Sequence, residues 1–321
     1  MLSALIEDFS KVHSVSTSCL VQTAVAKVLE RRSPFGLGKL ELFETTSKEE
    51  PEDFRDLARE ADYTLVIAPE MGGFLHERCS WVEELGGRLL GPNSEAVRLT
   101  ADKLELASFL KAKHIPTPPW FPAKVNSGCP FPAVLKPRDG AGSQATILVK
   151  REQDVEQAIE TVRTEGWAGE LLLQPIVAGI PCSLSFLIGG EQIEPLLPAS
   201  QELTDDGRFR YQGGVLPLPP PLSDRAVRLA TQAIYPVSGL RGYVGVDMIL
   251  GKSADGTEDQ VIEINPRMTT SYVGLRALAK TNLAEAMIQI AEGKRIEPVN
   301  WKTGKLLFRP DGRVVSCREP P

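Results

Sequence analysis

Gly242-Tyr243-Val244-Gly245-Val246-Asp247 and Val261-Ile262-Glu263-Ile264-Asn265-Pro266-Arg267 are two mainly apolar runs. Between them lies a charged, turn-forming segment that includes Gly251-Lys252-Ser253-Ala254-Asp255-Gly256-Thr257-Glu258-Asp259. Apolar runs flanking such a turn predict an antiparallel strand pair. With the turn centred near Asp255, Asp247 falls opposite Glu263, and strand alternation puts Asn265 on the same face as Glu263. Two carboxylates and a carboxamide then converge inside otherwise apolar strands, where ionised carboxylates are costly unless a positive charge neutralises them. An all-oxygen set of this kind suits Mg²⁺, with Mn²⁺ as the alternative. The polar face of a half-exposed hairpin would account equally well for Asp247 and Glu263 alone. Asn-Pro-Arg directly after the glutamate, followed by Thr269, Thr270 and Ser271, favours a site.

The rest of the composition narrows the setting. At 321 residues, 42% hydrophobic and 24% charged, the chain has room for two or three units that each bury a core. A net charge of −6 argues against a general nucleic-acid surface. No apolar run reaches the length of a membrane span, and the first residues carry no basic start of a secretory signal. The five cysteines are far apart without a Cys-x-x-Cys pair, which fits neither a disulfide framework nor a zinc site and points to a reducing cytoplasm.

Leu2, Leu5, Ile6 and Phe9 are spaced for one helix face, so the chain is expected to open on an amphipathic helix. A strand at 12–15, a helix at 19–31, strands at 39–43 and 63–68, and helices at 49–60 and 74–85 come next, with a short strand at 88–90. The rhythm is that of a small α/β layer whose first strand is missing. Its strand at 63–68 runs into Ala68-Pro69-Glu70-Met71-Gly72-Gly73, at the edge where open α/β sheets place ligands. A new unit begins at Ser94, with Thr100 as a candidate cap for a helix running to 113. Strands at 133–136, 146–149, 171–174, 183–188 and 193–197 and helices at 151–164, 224–237 and 283–292 are expected. Residues 198–222, rich in proline and glycine, read as a long lid or substrate loop. A hairpin at 306–308 and 314–316 closes the chain. The expected division is an N-terminal α/β layer over 1–93, a nucleotide-clasping unit over 94–293 hinged near 174–179, and a C-terminal hairpin and tail over 294–321.

Asp139-Gly140-Ala141-Gly142-Ser143 joins two short strands, and its glycines would let backbone N–H groups approach phosphate oxygens. It lacks the spacing of a Walker loop, and a plain tight turn explains it as well. Lys136 at the end of the preceding strand, and Lys103 on a leucine-rich helix, could be surface lysines or point charges for phosphates. The order of the set carries the weight: two lysines, a glycine loop, then an acid–acid–amide cluster.

Together with Gly91-Pro92-Asn93-Ser94-Glu95-Ala96-Val97-Arg98-Leu99-Thr100-Ala101-Asp102-Lys103, that ordered set resembles the ATP-grasp superfamily over residues 67–292. The runs at 242–247 and 267–272 bring it nearest the branch that holds carbamoyl-phosphate-synthase-like grasp domains and tyramine–glutamate ligases. The resemblance implies an α+β fold in which a pre-grasp layer precedes two subdomains that clasp ATP. It assigns Lys103 and Lys136 to the nucleotide phosphates, Gly140, Ala141, Gly142 and Ser143 to the loop over the triphosphate, and Gln174 and Val177 to the adenine hinge. Asp247, Glu263 and Asn265 become Mg²⁺ ligands, and Arg267 the cation beside the transferred phosphate, with Lys136 and Arg267 the catalytic pair. Pro181 stands where many members carry a glutamate for the ribose, a bond no proline side chain can make.

The implied activity joins a small-molecule carboxylate, such as glutamate or another amino acid, to an amine such as tyramine through an acyl-phosphate, as in methanofuran biosynthesis. No nucleic acid or membrane partner is expected, and the oligomeric state is open. An ATP-dependent kinase, or a non-catalytic nucleotide-binding scaffold, are the alternatives. Tyr211-Gln212-Gly213-Gly214, Arg241 and Thr269-Thr270-Ser271-Tyr272 are further candidates for substrate contact.

Overall fold

The computed structural model describes residues 1–32, 40–140 and 142–317. Its N-terminal part carries α1 (Leu2–Ser10), β1 (Thr17–Gln22), α2 (Thr23–Arg32), β2 (Leu40–Thr45), α3 (Glu50–Glu60) and α4 (Phe74–Glu84). Two helices come next, α5 (Ser94–Ala101) and α6 (Lys103–Ala112). β1 and β2 pair in parallel, and an isolated parallel bridge joins Thr64 to Leu89. Leu75, Cys79 and Val82 on α4 share a core with Val97 on α5, which fixes the layer against the neighbouring helices. α1 packs differently. Its Leu5 and Phe9 share a core with Leu283 and Met287 near the other end of the chain, and its buried Asp8 accepts from Tyr272 Oη and Arg276 Nε, both at 2.7 Å.

The first clasping sheet has the order β3-β6-β4-β5, built from β3 (Phe121–Pro122), β4 (Ala133–Pro137), β5 (Ile147–Val149) and β6 (Leu171–Pro175). α7 (Val155–Thr164) buries Val155, Ala158 and Val162 with Leu135 and Leu173 of that sheet. The second sheet is formed by β7 (Ile180–Gly189), β8 (Gln192–Pro195), β9 (Ala199–Leu203), β10 (Tyr211–Leu216), β11 (Gly242–Leu250) and β12 (Gln260–Asn265), with β13 (Lys305–Phe308) and β14 (Val314–Cys317) at one edge. Its order is β12-β11-β7-β9-β10-β13-β14, with β8 paired to β7. On one face lies α8 (Pro220–Ile234), whose Leu229, Ala230 and Ala233 meet Val244, Val246 and Met248. α9 (Ser271–Leu278) and α10 (Leu283–Ala291) complete the other core, around Tyr272, Leu275 and Phe308. Alternating apolar strands with one face on a helix and one on a cleft are what the two-residue side-chain period dictates.

Several expectations need correction. The strand expected at 12–15 is a turn, because Val12 is recruited into the core with α1 rather than into a ladder. The first strand starts only at Thr17 and takes the opening residues of the helix expected at 19–31. Residues 63–68 and 88–90 form a single bridge instead of full strands. The helix expected from Thr100 onward is two helices. Thr100 is buried at the end of α5 with its hydroxyl donating to Ala96 O at 2.7 Å, and the cap of α6 is Asp102, which accepts from the backbone N–H of Leu104 and Glu105. The stretch 198–222 contains β9, β10 and the start of α8, so no long loop is present there. Gly213 and Gly214 obscured that strand in the sequence. In the sheet a Cβ at Gly213 would lie 2.0 Å from Phe308 O and one at Gly214 2.1 Å from Ser200 O, so close strand approach requires both glycines.

Candidate active site

β11 and β12 place their polar residues as the hairpin pattern requires. Asp247 pairs with Glu263 and Gly245 with Asn265, and a bulge occurs between Asp247 and Met248. The bulge keeps both carboxylates on the cleft face while Met248 and Val261 return to the core. Asn265 Nδ2 donates to Asp247 Oδ2 at 3.1 Å, and Gln201 Nε2 from β9 donates to Asp247 Oδ1 at 2.9 Å. Burial and the neighbouring Glu263 charge push Asp247 well above the usual carboxylate range. Burial also works against ionised Glu263, but Lys103 and Lys136 outweigh it and hold that carboxyl down. Two such acids side by side in a buried cleft are electrostatically incomplete without added positive charge.

The cations come from other elements. Lys103 opens α6, and Asp102 holds that helix start while also accepting from Arg138 Nε at 2.9 Å. Lys103 is buried and donates to Gly140 O at 2.9 Å, so lysine and glycine loop touch. Lys136 lies near the end of β4 with its ammonium 4.8 Å from the centre of the Trp120 ring. Burial pulls Lys136 down to about 8, and the Glu263 charge resists the shift. Arg267 sits just past β12 and donates from Nε to Glu70 Oε2 at 2.8 Å. Burial opposes its charge, yet Glu70, together with the Glu263 and Asp247 charges, outweighs it and keeps the guanidinium above its ordinary value.

A cavity of about 520 Å³ runs between the two sheets. Lys103, Lys136, Gly140, Gly142 and Ser143 line one part of it, and Gln174 and Val177 another. Asp247, Glu263, Asn265 and Arg267 line its floor. Every position assigned to the nucleotide, the metal or the transferred phosphate lines this one cleft except Ala141, which lies outside the described residues. Ser143 sits at φ +60°, a left-handed conformation uncommon for serine, and its hydroxyl donates to Phe209 O at 2.7 Å on the β9–β10 turn. Gln174 is buried, lines the cavity, and its Nε2 has no hydrogen-bond partner. Pro181, Ile249 and Ile262 give the wall between hinge and carboxylates an apolar character.

The further candidates divide. Tyr211, Thr269, Thr270 and Ser271 line the cavity. Arg241 does not; it donates to Gly91 O at 3.1 Å at the surface. Tyr272 points into the core toward Asp8. Sequence reasoning missed Glu70 and Gln201 as neighbours of the site. The signal for Glu70 was its place in the glycine-bearing loop after residues 63–68; nothing in the sequence marked Gln201.

Metal fit rests on donor chemistry. Among the described residues no group of three or more His, Cys, Asp or Glu side chains is placed to hold a metal ion. A divalent cation in this cleft would rest on two carboxylates, one carboxamide oxygen and oxygens brought by a ligand, a hard donor set suited to Mg²⁺. Among the described residues, no helix is long and apolar enough to cross a membrane.

Two α+β lobes closing on a cleft with lysines on one side and paired carboxylates on the other define a nucleotide-clasping class of enzyme. An ATP-grasp domain model matches residues 100–271, and a pre ATP-grasp 3 domain model matches residues 23–97. The chain belongs to the ATP-grasp family. It is 29% identical over 236 residues to the tyramine–L-glutamate ligase of Methanocaldococcus fervens, covering 73% of this chain and 68% of that protein. A D-alanine–D-alanine ligase of Clostridium botulinum is 25% identical over 257 residues, covering 74% of this chain and 81% of that one. The biotin carboxylase domain of Hydrogenobacter thermophilus 2-oxoglutarate carboxylase, solved with MgADP and bicarbonate, superposes with a TM-score of 0.76 at 17% identity, over 95% of this chain and 71% of that chain. That likeness speaks for the fold.

Proposed function

We propose that the chain joins the carboxylate of an amino acid such as glutamate to a small amine such as tyramine, with ATP converted to ADP and phosphate. The observation that carries this reading is the meeting of Lys103, Lys136 and Arg267 with Asp247, Glu263 and Asn265 around one cavity between two sheets. In the first step a carboxylate oxygen attacks the γ-phosphorus, ADP leaves, and an acyl-phosphate remains. In the second, the amine nitrogen attacks the acyl carbon, phosphate leaves and the nitrogen loses a proton. Neither step needs a nucleophile from the protein; what is needed is neutralised charge and fixed geometry.

Each residue type suits a role in that chemistry. Lys103 and Lys136 would meet phosphate oxygens, and Gly140, Gly142 and Ser143 of the glycine loop would cover them with backbone N–H groups. The Gln174 donor without a partner is available to an adenine ring nitrogen, with Val177 beside it on the hinge. Asp247, Glu263 and Asn265 would hold Mg²⁺, which when bound neutralises the phosphates. Arg267 would steady the transferred group. The division into 1–93, 94–293 and 294–321 goes with this reading, as does a cytoplasmic setting, since all five cysteines are free thiols.

The test is product mass after incubation with ATP, Mg²⁺, glutamate and an amine mixture, with ADP and phosphate measured alongside. Ligation gives an amide and equal ADP and phosphate that depend on both acid and amine. A stable phosphorylated acid or alcohol with no need for amine would make the chain a kinase. ATP bound but never turned over, with Glu263→Ala indistinguishable from wild type, would make it a scaffold.

A further inference from the structure

The loop at residues 69–73 comes from outside both clasping sheets, yet it touches two elements of the cleft. Glu70 is only 6% exposed and accepts from Arg267 Nε at 2.8 Å, across 197 residues of sequence. Two residues on, Gly72 N donates to Asp139 Oδ2 at 3.2 Å, at the root of the glycine loop. The loop is well braced: Gly72 and Gly73 take left-handed φ values of +64° and +73°, and α4 begins directly after them with Leu75 buried. Arg267 lines the cavity and Glu70 does not. The other bonds of the guanidinium are longer, 3.2 Å to Met268 O and 3.4 Å to Asn265 Oδ1. The shortest tether of Arg267 is therefore the one supplied by the N-terminal layer.

A bare ion pair holding two layers together would have no need to end on a cavity-lining arginine. An unrestrained arginine between Glu70, Asn265 and two further carboxylates would have several competing acceptors, whereas a charge-assisted bond to one buried carboxylate selects one orientation. We infer that Glu70 is a positioning residue: it aims the Arg267 guanidinium at the group transferred from the nucleotide, making the N-terminal layer part of the phosphoryl-transfer machinery. This rests on the proposed nucleotide binding in the cleft, and the experiment separates the two.

Binding of MgADP is measured by calorimetry with and without fluoroaluminate, a mimic of the phosphoryl group in flight, so no knowledge of the acid or amine is needed. Wild type is expected to bind MgADP and to tighten about tenfold or more when fluoroaluminate is added. Glu70→Gln keeps the size and removes the charge; it should bind MgADP within about threefold of wild type and lose the tightening, as should Arg267→Lys. Glu70→Asp should retain part of it. Full tightening in Glu70→Gln overturns the inference, even if thermal stability falls. So does a wild type that binds MgADP but ignores fluoroaluminate. Should Glu70→Gln not fold, Glu70→Asp decides: tightening equal to wild type refutes the positioning role. A wild type that binds no MgADP at all sinks the nucleotide reading itself, a result recognisably different from the others.

Discussion

Asn265 donates its side-chain amide to Asp247 Oδ2 at 3.1 Å across the β11–β12 pair, and its own Oδ1 accepts from Arg267 at 3.4 Å. The carboxamide is thus a hub between a half-buried acid and a half-buried cation. Removing it should release Asp247 from its neighbour and loosen the oxygen set. Asn265→Ala is expected to raise the Mg²⁺ concentration for half-maximal ATP turnover by about 10- to 100-fold. Asp247→Asn and Glu263→Gln should cost more, because each deletes a charge, and a chelator should abolish turnover in wild type. ATP turnover titrated with Mg²⁺ measures all three; an unchanged titration curve for Asn265→Ala would remove it from the metal set.

Lys136 makes a pH prediction with a definite sign. Burial lowers its ammonium to about 8, so the charge needed for phosphate is present below that pH and lost above it. The kcat/KM for ATP, which reports the free enzyme, should fall with rising pH above about 8, by about tenfold per unit. Lys136→Arg keeps a charge at all accessible pH values and should push this limb upward even if it lowers the plateau. A descending limb that stays in place in the arginine variant would assign it to another group.

The hairpin that carries the two acids is anchored away from the cleft. Arg225 on α8 donates from Nε to Asp259 Oδ2 at 3.0 Å and from a terminal nitrogen to Gly251 O at 2.7 Å, while Gly251 N donates to Asp259 Oδ1 at 2.8 Å. Both side chains of the ion pair are buried. Removing one partner leaves an uncompensated buried charge, so Asp259→Ala should lower unfolding free energy by about 3–5 kcal/mol. Urea unfolding would show this as a lower midpoint at unchanged slope. Replacing both partners with apolar residues of similar volume should cost much less. Equal losses in the single and the double variant would mean that packing, and not charge, is what the site supplies.

How much of this was legible in the sequence depends on the range over which each residue acts. Asp247 opposite Glu263 follows from alternation across one turn, a relation local enough to be read directly. Lys103, Lys136 and the glycine loop were legible as an ordered set, although none was persuasive alone. β10 was hidden because Gly213 and Gly214 look like loop residues until the neighbouring strand backbones at 2.0–2.1 Å from their missing Cβ atoms explain them. The split between α5 and α6 turned on whether Thr100 or Asp102 caps, and the bonds from Leu104 and Glu105 N–H to the Asp102 carboxylate make the second choice visible. Glu70 was legible only as a member of a loop at a ligand-placing edge; its partner lies 197 residues away, and no periodicity connects them.

Gln174 yields a prediction in which stability and affinity move in opposite directions. Its side chain is 4% exposed on β6 and its Nε2 lacks a partner, a state that costs folding free energy unless a ligand supplies an acceptor. Gln174→Met is close in shape and deletes the orphaned donor. The ligand-free protein should then unfold at the same or a higher urea concentration, by up to about 1 kcal/mol. Its KM for ATP should nevertheless rise about tenfold, and its preference for ATP over GTP should shrink, because the polar group that reads the base is gone. If ATP and GTP were discriminated as well by Gln174→Met as by wild type, the base would have to be read by the hinge backbone instead, and the free amide would be an uncompensated defect of the fold.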